Sequence, residues 1–138
     1  MVKQGTLMAT IVLATLVVAA CSGKTHTSTE FPSFVYASGE SLASYRTAVA
    51  NKDMLSMMPC YCGCAETAEP RHKSLEQCFL TPEGGFEKHA SGCDLCGKEA
   101  LDAAKWRDEG HSTKEIRQLL DKKYSMYGKG TDTPPVTE

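Results

Sequence analysis

Three thiols fall within five residues in the stretch Pro59-Cys60-Tyr61-Cys62-Gly63-Cys64, and that spacing limits what the chain can become more than any other feature. Neighbours two residues apart meet disulfide geometry only with strain, because the bond wants Cα atoms roughly 4.4–6.8 Å apart and converging Cβ vectors. A hydrophobic core has no need of such a cluster. One soft ion suits it well. Pro59 fixes the backbone ahead of the loop, and Gly63 has the conformational freedom to turn it so that the three sulfurs face one point. The loop therefore reads as most of a thiolate metal site, to which the rest of the chain adds sulfur, a scaffold and a membrane tether.

The chain has 138 residues, enough for one small domain with tails. Lys3 gives a short positive start, and Leu7 to Ala20 is apolar except at Thr10 and Thr15. Val18-Ala19-Ala20 then places small residues immediately before Cys21. Residues 1–20 read as a lipoprotein signal peptide, with Cys21 lipidated as the mature N-terminus. An ordinary cleaved leader and an uncleaved span are the other readings, but the run is short for a span, which needs about 20 apolar residues. Residues 21–30 are polar and read as a lipidated flexible tether. The expectation is a bacterial cell-membrane protein, anchored through Cys21 and facing away from the cytoplasm. Formal charge is −2, and without Lys3 there are 14 basic against 17 acidic residues. That mild acidity gives no support to nucleic-acid binding.

Between Phe31 and Gly128 the pattern is helical, with no sustained β-branched alternation. Ser41 is placed to cap a helix running to about Ala50, with Leu42, Tyr45, Ala48 and Val49 on one apolar stripe and Asn51 at its end. Lys52 to Met57 reads as a short turn, and 65–71 as loop. Ser74 to Leu80 reads as a short helical piece holding Cys78. Thr81-Pro82-Glu83-Gly84-Gly85 is a turn. A helix should follow Cys93 and run to Glu109, closed by Gly110. Ser112 and Glu115 form a capping box for the last helix, whose face carries Ile116, Leu119, Leu120, Lys123 and Tyr124. The expected fold is a small, loop-rich, mostly α domain over 31–128, ending in an antiparallel helix hairpin. Residues 129–138, with Pro134-Pro135, read as a disordered tail.

Six cysteines follow Cys21, and an even count in an exported chain commonly means a disulfide framework, with 15 pairings open to it. The tripling at Cys60, Cys62 and Cys64 turns the balance toward metal, because each would need a distant partner among Cys78, Cys93 and Cys96 alone. Cys93 and Cys96 share one face of a first helical turn, where backbone amides favour a thiolate. The candidate ligands are thus Cys60, Cys62, Cys64, Cys78, Cys93 and Cys96. Copper(I) ranks first, because it is soft and accepts two or three thiolates as well as thioether sulfur. Zinc ranks second and an iron–sulfur cluster third. Met54, Met57 and Met58 lie just upstream, where core filling is the plainer role. Of His72, His89 and His111, His89 is the best nitrogen candidate, although an ordinary structural role suits each. Tyr61 is placed to shield the site. Asp102 and Glu99 read as a solvated carboxylate pair, and no catalytic constellation stands out.

The hexapeptide resembles the signature of the bacterial PCYCGC-motif lipoproteins. The similarity continues through His72-Lys73-Ser74-Leu75, Cys78-Phe79, His89-Ala90-Ser91-Gly92-Cys93, Cys96 and Glu109-Gly110. It implies an exported lipoprotein with a metal or redox role, served by a metal-handling or redox membrane protein. Residues 98–128 also resemble the helical hairpin of cytochrome c maturation thiol reductases, through Ile116, Leu120 and Tyr127-Gly128. That likeness supports an alternative, a thiol–disulfide oxidoreductase or disulfide-stapled protein using Cys93 and Cys96.

Overall fold

The computed structural model describes residues 30–67, 69 and 71–137, with the backbone alone at Cys64 and Ala65. The expected signal peptide, the expected tether up to Thr29 and the expected lipidation site Cys21 lie outside the described residues. Among the described residues the protein is mostly helical and has no strand, only an isolated bridge between Leu80 and Phe86. No helix there is long and apolar enough to cross a membrane.

After a 3-10 turn at Ser33–Ala37, helix α1 spans Gly39–Ala50. Its cap is Ser38 rather than Ser41: the Ser38 hydroxyl accepts from the Ser41 N–H at 3.0 Å. Ser41 is then inside the helix, on its buried face with Ser44, Tyr45 and Ala48. The expected apolar stripe is corrected too, since Val49 is exposed. The reason is the neighbour. α1 packs most extensively on α4 (Asp94–Asp108), and it does so through small residues. A Cβ built on Gly97 of α4 would sit 3.6 Å from the Ser44 Cβ, so the helices are in direct contact there. Asn51 ends α1, and the Arg107 guanidinium at the far end of α4 donates to its side-chain oxygen.

The short helix α2 (Lys52–Ser56) runs toward the cysteine loop. Part of the expected loop after it is helical, α3 spanning Cys64–Thr67. The Cys78 segment is a 3-10 turn at Glu76–Cys78, and a second one at His89–Gly92 leads into α4. α5 covers Thr113–Tyr124, followed by a 3-10 turn at Ser125–Tyr127. The capping box forms as expected, with Ser112 and Glu115 bonding each other's backbone N–H groups. α5 buries Ile116, Leu120 and Tyr124, and apart from the half-buried Leu119 its other residues are polar, a pattern suited to one-sided packing on α4.

One core unites these pieces. Tyr45, Leu55, Met58, Leu75, Phe79, Ile116 and Leu120 are all inaccessible or nearly so. Tyr45 meets Phe79 edge-on at 5.1 Å between ring centroids, and its hydroxyl donates to the Glu87 carbonyl. The C-terminal segment corrects the expectation of a disordered tail. Thr131 and Thr133 are buried, and Arg117 holds the backbone there, donating to the carbonyls of Thr133 and Pro134.

Two substitutions test this account by denaturant unfolding. Leu120→Ala should lose about 2–5 kcal/mol, because it opens a cavity where α5 meets the core. Ser112→Ala should lose about 1 kcal/mol, the worth of an N-cap, without altering the rest of the fold.

Candidate metal centre

The cysteine loop is held by its backbone. The Cys60 N–H donates to the Thr131 hydroxyl at 3.0 Å, and the Thr131 N–H donates back to the Cys60 carbonyl at 3.0 Å. The Tyr61 N–H donates to a Glu99 carboxylate oxygen at 2.9 Å. Upstream, the Met57 carbonyl accepts from Arg117 at 2.9 Å and the Met58 carbonyl from the Leu75 N–H at 2.8 Å. A buried loop must satisfy these groups somewhere, and here each is met by a different part of the chain. Tyr61 is buried, its hydroxyl donating to Asp121 at 2.6 Å. Gly63 takes φ of 85°, the left-handed turn that the sequence required of it. Gly130 passes so close that a Cβ there would come within 3.0 Å of the Tyr61 ring and 3.2 Å of Pro59.

Fixed in this way, the loop meets the start of α4. The sulfurs of Cys60 and Cys96 are 3.6 Å apart, and those of Cys60 and Cys62 are 3.3 Å apart. Sulfurs bound to one ion stand roughly 3.5–4 Å apart when metal–sulfur bonds are near 2.3 Å. The Cys60–Cys96 separation falls in that range and the Cys60–Cys62 separation just below it. Cys60, Cys62, Cys78 and Cys96 form one group whose donor atoms all lie within 4.8 Å of one another. Cys62, His89, Cys93 and Cys96 form another, and His72, Cys78 and His89 a third. Cys60, Cys78 and Cys96 are inaccessible, whereas Cys62 and Cys93 are half-buried. Cys60, Cys62, Cys78, Cys93 and Cys96 are not joined to one another by disulfides.

Five of the six expected sulfur ligands therefore converge. Cys64 opens α3 with its side chain outside the described atoms. Met54 and Met58 serve the core, and Met57 packs against it. Three residues were undervalued in the sequence. His89 Nε2 is 3.4 Å from the Cys62 sulfur, and the His72 ring packs edge-on to His89 at 5.1 Å. His72 is buried, and among the described residues its Nδ1 has no hydrogen-bond partner. Glu99, expected on a solvated face beside Asp102, is fully buried. It stands one turn after Cys96, so its i,i+3 spacing was the signal. His111 stays exposed.

The charges settle around Cys96. Hydrogen bonding from Cys60 first, and from Cys78 and Cys93 after it, holds its thiol well below the usual range. Cys93 is pushed up by its hydrogen bonds with Cys62 and Cys96. His89 is raised to about 10, first by its bond to Cys62 and then by Cys96. Burial raises Glu99 to about 8, against the opposing pull of Cys60 and the Tyr61 N–H. Hydrogen bonds among the sulfurs thus favour the thiolate form of Cys96 and the charged form of His89, which lies beside Cys62. Thiolate and imidazole are soft to borderline donors, and a cluster of this composition can hold a metal ion.

A family described as "protein of unknown function with PCYCGC motif" matches residues 11–136. The chain belongs to the PCYCGC family. No curated protein and no solved structure matches it. In this member of the PCYCGC family, the motif that names the family is the loop that delivers Cys60 and Cys62 to the centre.

Thr131→Val keeps the shape of the side chain but leaves the Cys60 N–H buried without an acceptor. Unfolding should show a loss of about 1–3 kcal/mol. Thr137→Val, on an exposed residue of the same segment, should change nothing measurable. Equal stability for both variants would mean that the C-terminal segment does not clamp the loop.

Proposed function

We propose that this protein binds a soft metal ion, copper(I) before zinc or an iron–sulfur cluster, and holds it or passes it on at the outer face of a bacterial membrane. Cys60, Cys62, Cys78, Cys93 and Cys96 are the ligands, with Cys64 as a further sulfur at the end of the loop. A lipid on Cys21, exposed by removal of residues 1–20, provides the tether. α4 and α5, as an antiparallel hairpin, form the rigid base from which Cys93 and Cys96 rise. The partner is a metal-handling or redox protein of the same membrane.

One observation carries the reading: five sulfurs from three segments gather in two overlapping groups, the donor atoms of each within 4.8 Å of one another, without bridging one another. Thiolate-rich sites select copper(I), zinc or iron–sulfur clusters over harder ions. The oxidoreductase alternative fits less well. Such chemistry needs an accessible thiolate. Here the half-exposed Cys93 is the thiol pushed up, while the lowered Cys96 is sealed from solvent.

Anaerobic copper(I) titration in competition with a chelator, read by native mass spectrometry, tests the metal reading. Copper should be retained, and Cys62→Ser should weaken retention by more than the roughly 10–100-fold that loss of a supporting group costs. A protein that takes no metal and has lost about six hydrogen masses to bridges would sink the proposal. The tether has its own test. Cys21→Ser should move the protein from the membrane fraction to the soluble one, and a variant still sedimenting with membranes would refute lipid anchoring.

A further inference from the structure

We propose that the centre holds a pair of ions joined by the sulfurs of Cys62 and Cys96. This rests on the soft-metal reading above and specifies the site it describes.

The argument is one of shared donors. Cys60, Cys62, Cys78 and Cys96 lie within 4.8 Å of one another, and so do Cys62, His89, Cys93 and Cys96. Each set has four members, the full complement of a tetrahedral zinc and more than the two or three thiolates that copper(I) needs, so each set has room for one ion of either kind. The two sets overlap in two residues, Cys62 and Cys96. Cys60 and Cys78 belong to the first alone. Cys93 and His89 belong to the second of these alone, and among the described residues neither Cys60 nor Cys78 shares a four-donor set with Cys93. Two tetrahedra sharing one edge have this pattern: one pair of donors common to both, and one pair at each end.

The chemistry of the shared pair agrees. A thiolate sulfur keeps lone pairs after binding one ion and can bind a second, whereas a neutral imidazole offers each ion its one unprotonated nitrogen. Sharing is therefore possible at sulfur and not at His89, and the shared positions are both sulfur. His89 stands at an end, where a single bond is asked of it. A lone ion would use one set and leave the outer pair of the other idle: Cys60 and Cys78, which are inaccessible, or Cys93 and His89, which are half-buried. A second soft cation would take up that pair. His72 completes one side. It reaches Cys78 of the first end and His89 of the second within the same 4.8 Å, with its buried Nδ1 unpartnered.

The discriminating variant is Cys93→Ser. Cys93 occupies the N-cap of α4 and makes no capping hydrogen bond. Serine is among the best N-cap residues, so this change preserves the helix while removing an end ligand of the second ion only. The full chain, loaded anaerobically with copper(I) as the probe, should carry two ions by native mass spectrometry, and X-ray absorption should show a metal–metal shell. Cys93→Ser should carry one ion and lose that shell, with an unchanged far-ultraviolet circular dichroism spectrum. One ion in the unmodified protein overturns the pair and leaves the soft-metal reading intact. No bound ion overturns both. Two ions without a metal–metal shell, or two ions retained in Cys93→Ser, overturn the shared sulfurs.

Discussion

A loop bearing alternate cysteines can aim them at one point only if its backbone has no better conformation to adopt. Here that condition is met by hydrogen bonds from far along the chain. Thr131 closes a reciprocal pair on Cys60, and Glu99 receives the Tyr61 N–H. Each bond alone contributes only on the order of 1 kcal/mol, but a buried N–H left unmet costs more than its bond supplies. Other registers of the loop would leave several such groups unmet at once. The sulfur cluster is held in place by a loop backbone tied at Cys60 and Tyr61 to distant parts of the chain.

The same residues tie the scaffold to the chemistry. Glu99 lies on the α4 face that presents Cys96, so the helix that carries one sulfur also holds the loop that carries two more. Tyr61 links the loop to α5 through Asp121, and Arg117 of α5 reaches both Met57 and the C-terminal segment. The centre is therefore set by the packing of α4 and α5 and is not a mobile appendage. Its electrostatics follow from the hydrogen bonds that packing creates: those from Cys60, Cys78 and Cys93 lower Cys96 against the opposing effect of burial, and the bond to Cys62 raises His89 beside it. A soft cation entering such a pocket replaces proton-mediated contacts among sulfurs with bonds of its own.

Much of the helical framework was legible because its signals are local. The capping box at Ser112 and Glu115, the end of α4 at Gly110 and the turn before Phe86 depend on residues within a few positions of one another. The stripe on α1 was misread because its partner is a helix of small residues. Facing Gly97, the helix buries Ser41 and Ser44, not the larger Val49. Glu99 was misplaced for a related reason. Its acidity suggested solvent, whereas its position, one turn from Cys96, made it an acceptor for the loop.

By itself the sequence determined that a sulfur-rich loop would exist, that Gly63 would turn it, and that Cys93 and Cys96 would share one helical turn. Spacing fixes geometry over short separations, where few conformations are open to the chain. Only the tertiary structure decided that Cys78, His72 and His89 join that loop, and that the C-terminal threonines close over it. Those meetings span tens of residues. They depend on how helices of particular side-chain size settle against one another, which no local pattern records.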